Sequence, residues 1–197
     1  INLKILRLGC FDYSLEPILF NNNLRLTINS KEDIFFLEKC GKKNNHNFNV
    51  HLKIETGMLR LGIESQDINE IVNILLKCKN ITVEGVYSHL SSANETDQDY
   101  TNRQRDKFIS LSKFIMKNFK TIKYQHLANS SALLKDKKNH FNLVRPGLTI
   151  YGIDPTEDGH NLKPALLLEA QVCLIKNVSK GDYIGYNRTY LSKNNFK

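Results

Sequence analysis

Short β-rich runs alternate with segments of helical period along most of this chain, and that rhythm constrains the fold more than any other feature. The runs cover residues 3–8, 24–28, 50–55, 83–90, 124–128 and 148–152. Strand after helix in this order is the pattern of a parallel α/β fold. The expected helices start at recognisable caps. Ser30 precedes Glu32 and Asp33, Asp67 has Glu70 three residues on, and Thr101 has Gln104 three on, as in a capping box. Behind Asp67, Ile68, Ile71, Val72, Leu75 and Leu76 form one apolar stripe, and Phe108, Leu111, Ile115 and Phe119 form another behind Thr101. About six βα units suit either an open sheet or a closed barrel, which needs eight. After Pro155 the pattern changes. Residues 166–178 read as extended, Ser179-Lys180-Gly181-Asp182 supplies a turn, and 183–190 reads as extended again.

Composition excludes several classes. With 41% hydrophobic and 24% charged residues, the 197-residue chain is neither disordered nor a membrane protein, since no apolar run approaches the ~20 residues of a spanning helix. The formal charge of +8 is scattered, without a basic stripe interleaved with aromatics, so nucleic acid is not expected as a partner. A local anionic ligand is a better use of it. The four cysteines lack CxxC spacing and a histidine partner, which argues against a metal knuckle or a disulfide framework. No secretory signal is visible and the expected setting is the reducing cytoplasm. The chain opens on Ile1 and closes abruptly at Lys197, so a piece of a longer protein is expected.

Strand alternation places Val50, Leu52 and Ile54 on one face and His51, Lys53 and Glu55 on the other. Lys53 therefore points away from the helices, where a lysine is costly unless paired, with Glu55 the simplest partner, or chemically modified. Arg60 follows in a loop at the strand's C-terminal end, where barrel enzymes place active sites, and a guanidinium there can grip a carboxylate or merely be solvated. His89 ends the next strand. Asn129 and Ser130 follow the one after, offering a cap, hydroxyls and backbone N–H groups to an anion. Arg145 stands beside Gly147, whose backbone can approach a ligand closely.

Taken in order, these residues resemble the alanine racemase family. The motifs that carry the resemblance are His51-Leu52-Lys53-Ile54-Glu55-Thr56-Gly57-Met58-Leu59-Arg60-Leu61-Gly62, Gly85-Val86-Tyr87-Ser88-His89, His126-Leu127-Ala128-Asn129-Ser130-Ser131-Ala132 and Val144-Arg145-Pro146-Gly147-Leu148-Thr149-Ile150-Tyr151-Gly152. Leu162 to Leu166 and Gly185 to Tyr190 extend it over nearly the whole chain. The resemblance implies an α/β fold, an incomplete TIM (β/α)8-type barrel over residues 1–157 that binds pyridoxal 5'-phosphate, with the beginning of a C-terminal antiparallel β domain over 158–197. It implies that Ser130, Gly147 and Leu148 hold the cofactor phosphate, with Asn129 in support. Arg145 would face the pyridine nitrogen and His89 would orient that arginine, the two being the expected catalytic residues. Arg60 would bind the substrate carboxylate, and Lys53 would carry a carbamate that positions Arg60.

Two departures stand out. Glu55 and Leu59 occupy positions where the family usually has aspartate and glycine, which puts the loop carrying Arg60 in question. No residue matches the family's Schiff-base lysine, expected upstream of Ile1, or its catalytic tyrosine, expected beyond Lys197; Tyr183, Tyr186 and Tyr190 precede that position. The implied activity is interconversion of L- and D-alanine for peptidoglycan by a cytoplasmic homodimer, with the 197 residues inactive alone. The alternatives are a racemase of another amino acid such as serine, or a non-catalytic barrel serving cofactor homeostasis. A racemase continues into a β domain, as residues 166–190 begin to do, whereas a stand-alone barrel ends near its last helix.

Overall fold

Five parallel strands lie side by side in the order in which the chain visits them: β1 (Ile5–Leu6), β2 (Leu24–Ile28), β3 (Phe48–Lys53), β4 (Ile81–Tyr87) and β5 (Tyr124–His126). They belong to a computed structural model that describes residues 3–10, 12–156 and 158–197. A doubly wound sheet reverses its strand order at a switch point, whereas this order runs unreversed, as in a TIM barrel. Between and after the strands come α1 (Glu16–Leu19), α2 (Lys31–Asn44), α3 (Ile68–Leu75), α4 (Asp99–Asn118) and α5 (Ser130–Lys135). The chain divides into two compact units, Ile1–Ala165 and Leu166–Lys197.

Alternation decides what each strand face meets. Leu26, Ile28, Val50, Leu52, Ile54, Val83 and Val86 are buried in one cluster with Ile34 and Leu37 of α2, Ile71, Val72 and Leu75 of α3, and Phe108 and Ile115 of α4. Leu111 and Phe119 pack against that cluster from its edge, and Leu76 is exposed just past the end of α3. The opposite face is polar. There Arg25 Nε donates to Glu84 at 2.8 Å, both groups being buried, and Lys4 reaches the same carboxylate at 3.2 Å.

Ser30 caps α2 as expected: its hydroxyl accepts from Asp33 N, and the Asp33 carboxylate accepts from Ser30 N in return. The other two expected caps do not form. Asp67 closes a 3-10 turn that runs directly into α3, in helical conformation and with no side-chain cap bond. α4 starts two residues before Thr101, which is buried in the first turn, while Gln104 turns to a neighbouring loop. Gln104 exchanges the local cap bond for bonds to that loop, while Thr101 Oγ1 is buried without a hydrogen-bond partner among the described residues.

The expected strand at 148–152 is instead a 3-10 turn, Leu148–Tyr151, closed by Ile150 N to Gly147 O at 3.1 Å and by Gly152 in the left-handed region at φ 76°. The parallel contact to β5 falls earlier, at Leu143 against His126. In the second unit, the turn at 179–182 is held by Asp182 N to Ser179 O at 3.0 Å. Residues 183–190 do not run as one extended segment. Gly185, Asn187 and Arg188, all at positive φ, reverse the chain between β6 (Tyr183–Ile184) and β7 (Tyr190–Leu191), an antiparallel pair. Residues 166–177 form no ladder among the described residues.

Candidate active site

The chemistry gathers where β3, β4 and β5 end. Lys53, the last residue of β3, is 4% exposed. Its ammonium makes no hydrogen bond or ion pair among the described residues and stands 5.9 Å from the Tyr87 ring centre. Burial, and then the nearby charges of Arg60 and Arg145, push its pKa below the usual lysine value, while Glu55 pulls the other way. The simple pairing of Lys53 with Glu55 is thus not what the fold adopts. The Glu55 carboxylate bends back to accept the backbone N–H groups of Gly57, of Met58 at 2.7 Å and of Leu59 at 2.8 Å. Three charge-assisted bonds to otherwise orphaned amides outweigh one to a lysine. They tie down the loop that carries Arg60, which is exposed. Leu59, standing where the family usually has glycine, adopts the left-handed region at φ 53° and is 80% exposed. The loop therefore keeps a glycine-type conformation without the glycine.

Arg145 is the hub of the site. Its Nη1 donates to His126 Nδ1 at 2.8 Å, and its Nη2 donates to Ser88 O at 2.6 Å and Leu127 O at 3.1 Å. His89 Nδ1 is also within reach of Nη2, at 3.4 Å. The contact expected of His89 is thus present, and His126 and two backbone carbonyls share in holding Arg145. His126 Nε2 lies 2.8 Å from His51 Nδ1, and the Tyr87 ring stacks on His126 with centres 4.6 Å apart. Tyr87 is itself fixed through its hydroxyl, 2.9 Å from both Thr27 Oγ1 and Leu8 O. Burial draws the Arg145 pKa down to about 10, so the guanidinium stays a cation at neutral pH. Burial and the charges of Arg145, Arg60 and Lys53 draw His89 to about 4, so it is neutral there.

A second donor group lies past β5. Asn129 is the N-cap of α5 and accepts from Ala132 N at 3.1 Å, while its amide donates to Leu90 O. Ser130 Oγ accepts from Gly147 N at 2.8 Å, joining the start of α5 to the loop that follows Arg145. Gly147 and Leu148 are exposed, and a Cβ on Gly147 would come no nearer than 3.9 Å to Ser130 Oγ. The fold thus brings Asn129, Ser130, Gly147, Leu148 and Arg145 to one end of β5, and Lys53, Arg60 and His89 to the neighbouring strand ends. Among the described residues, no group of three or more His, Cys, Asp or Glu side chains could hold a metal.

His51, His126 and Tyr87 join the site without any local signal that marks them as site residues. The strand period did put His51 on the face of Lys53, and His126 lies at the start of a quoted motif. Their mutual contact needs the registers of β3 on β4 and β4 on β5, where His51 pairs with Gly85 and His126 with Tyr87. Gly85 leaves room for that contact, since a Cβ there would stand 2.4 Å from His51 Nδ1.

A family model described as "Alanine racemase, N-terminal domain" matches residues 1–155. Alanine racemase of Prochlorococcus marinus is 34% identical over 192 residues, covering 94% of this chain and 47% of that protein. Its counterpart in Methanococcus maripaludis is 33% identical over 184 residues, covering 91% and 49%. The solved alanine racemase of Clostridium difficile 630 superposes with a TM-score of 0.85 at 28% identity, covering 98% of this chain and 52% of that one. That of Bacillus anthracis, solved with bound L-Ala-P, gives 0.81 at 30% identity, covering 97% and 51%. The chain spans about half the length of the relatives it matches.

Proposed function

The chain belongs to the alanine racemase family, and from that premise we propose that it is the cofactor-cradling part of a pyridoxal-5'-phosphate-dependent isomerase that interconverts L- and D-alanine and so supplies D-alanine to peptidoglycan. The observation that carries the reading is the donor set at the end of β5. It comprises a hydroxyl and a glycine amide 2.8 Å apart at Ser130 and Gly147, beside a permanent cation at Arg145. Among the described residues, no carboxylate is bonded to Arg145. That set fits a phosphate ester on a pyridine ring. Asn129, Ser130, Gly147 and Leu148 would hold the phosphate, and Arg145 would face the ring nitrogen. When bound, the cofactor supplies the electron sink for removal of the α-proton.

The chain's own residues then bind and orient. A guanidinium only donates, so Arg145 keeps a ring nitrogen facing it as an unprotonated acceptor. Arg60 grips the substrate carboxylate, and a carbamate on Lys53 places an anion beside it. The L-Ala-P in the Bacillus anthracis neighbour supports alanine over serine. The two proton-transferring bases of the family match no residue of the chain, so the 197 residues alone bind cofactor without racemising. The complete protein acts as a homodimer in the cytoplasm.

The test is titration of the chain with pyridoxal 5'-phosphate and with unphosphorylated pyridoxal, followed by absorbance. We expect the phosphorylated form to bind at least tenfold tighter, and Ser130→Ala to remove most of that preference. Equal binding of both forms would overturn the cradle assignment. Turnover of L-alanine by the 197-residue chain above the free cofactor's rate would show that a base had been missed.

A further inference from the structure

Residues at i and i+4 share a helix face, and on α4 that pair is Tyr100 and Gln104. Each is bonded to a different loop of the candidate site. Tyr100 Oη donates to Gly57 O at 2.7 Å, in the loop that carries Arg60. Gln104 Oε1 accepts from Ser91 N at 3.0 Å and Ser91 Oγ at 3.1 Å, and its Nε2 donates to His89 O at 3.4 Å. Gly57 fits between the two. Its φ is 136°, and a Cβ there would stand 2.5 Å from the Tyr100 hydroxyl and 3.4 Å from Gln104 Cγ. We propose that Tyr100 and Gln104 are positioning residues that hold the Arg60 loop and His89 against each other, so that the face of α4 sets the geometry of the substrate clamp.

Helix packing alone does not account for them. Phe108 and Ile115 already bury the apolar face of α4, and a glutamine that is 1% exposed adds a desolvation cost that its loop bonds offset. Among the described residues, the loops themselves are joined at their base, where Thr56 Oγ1 and Ser88 Oγ lie 2.7 Å apart. Beyond that point Glu55 fixes the internal shape of the Arg60 loop, and Tyr100 fixes where the shaped loop stands. Losing such a latch loosens substrate binding without touching the reacting atoms, so KM rises while kcat is kept.

This rests on the proposed racemase reading, and the experiment separates the two. In the complete gene product with pyridoxal 5'-phosphate bound, Tyr100→Phe should speed hydrogen exchange at the amides of Gly57, Met58 and Leu59 at least tenfold. It should also raise KM for L-alanine at least fivefold, leaving kcat within twofold and the thermal midpoint at the parent value. Gln104→Met should raise KM similarly, and Gln104→Glu, which keeps the acceptor for Ser91, should restore most of it. If Gln104→Met does not fold, Tyr100→Phe decides. Exchange or KM within twofold of the parent in Tyr100→Phe overturns the proposal, as does a change that appears only with a lowered midpoint. A parent that turns over no alanine overturns the functional reading instead, and exchange at residues 57–59 then decides the latch by itself.

Discussion

Nη1 of Arg145 stands 2.8 Å from Nδ1 of His126, and that one contact decides the protonation of two imidazoles. A guanidinium can only donate, so His126 Nδ1 must be the acceptor and its proton sits on Nε2. That proton is donated in turn to His51 Nδ1 at 2.8 Å, which leaves the His51 proton on its own Nε2. Both rings are neutral donors and acceptors, and a charge on either breaks the chain.

Stability should therefore rise with pH across the histidine range. Burial first, then Arg145 and His51, takes the His126 pKa down to about 2, and burial takes His51 to about 4. Below the ordinary 6.5, the unfolded chain takes up protons that the folded one does not, so stability is complete above about pH 6.5 and falls as pH falls. Between pH 7 and 4 each ring accounts for roughly 3 kcal/mol. Urea unfolding at pH 7, 6 and 5 should show the positive slope above the range of ordinary carboxylates, and His51→Gln should flatten it by about a third, because His89, drawn down to about 4, contributes alongside His126. A flat profile in the parent contradicts the neutral pair.

Lys53 is a buried cation with no ion pair among the described residues, and its lowered pKa raises the fraction of free amine. A free amine adds carbon dioxide, forming an N–C bond and releasing a proton. With 13C-bicarbonate at pH 8, the protein should show a carbamate carbon signal that is absent from Lys53→Arg. The sign of the stability effect follows from the same shift: the cost is present at neutral pH and relieved only as pH rises through the folded pKa. Lys53→Met should stabilise the protein by about 1–2 kcal/mol at pH 7 in bicarbonate-free buffer, read by urea unfolding.

Leu59 holds a left-handed conformation that costs an ordinary residue about 1–2 kcal/mol. Leu59→Gly should recover roughly 0.5–1 kcal/mol, the rest being lost to the greater freedom of glycine in the unfolded chain. Leu59→Ala should gain nothing, because alanine meets the same backbone penalty. Thermal midpoints of the three proteins check this, and equal midpoints for Leu59→Ala and Leu59→Gly would contradict it.

Gly85→Ala should destabilise by about 3 kcal/mol, since its methyl group would occupy the space of the His51 ring. Removing that ring should relieve the clash. In a double-mutant cycle, Gly85→Ala with His51→Ala should therefore show a coupling of more than about 1 kcal/mol, and additive losses would mean that the glycine serves some other purpose.

One part of this protein is written in local periods along the chain. Strands and helices in alternation, the Ser30 cap with Asp33, the apolar stripe of α3 and the face shared by His51, Lys53 and Glu55 all follow from spacing along the chain. Spacing survives in any tertiary setting. The ordered motifs likewise marked out the stretch that carries Lys53, Arg60, His89, Ser130 and Arg145. Which polar groups meet is settled by packing between elements. Glu55 turned from Lys53 to three loop amides, Gln104 left its expected cap for Ser91, and His126 joined His89 in holding Arg145. Glu55 gains three bonds where Lys53 offered one, Gln104 on α4 meets a loop thirteen residues back, and strand register brings residues 51, 126 and 145 together across sequence separations that no local pattern encodes. The short apolar run at 148–152 failed for the same reason: its propensity is consistent with a strand, but the sheet contact is made earlier, at Leu143, and the chain is already turning at Gly147 and Gly152.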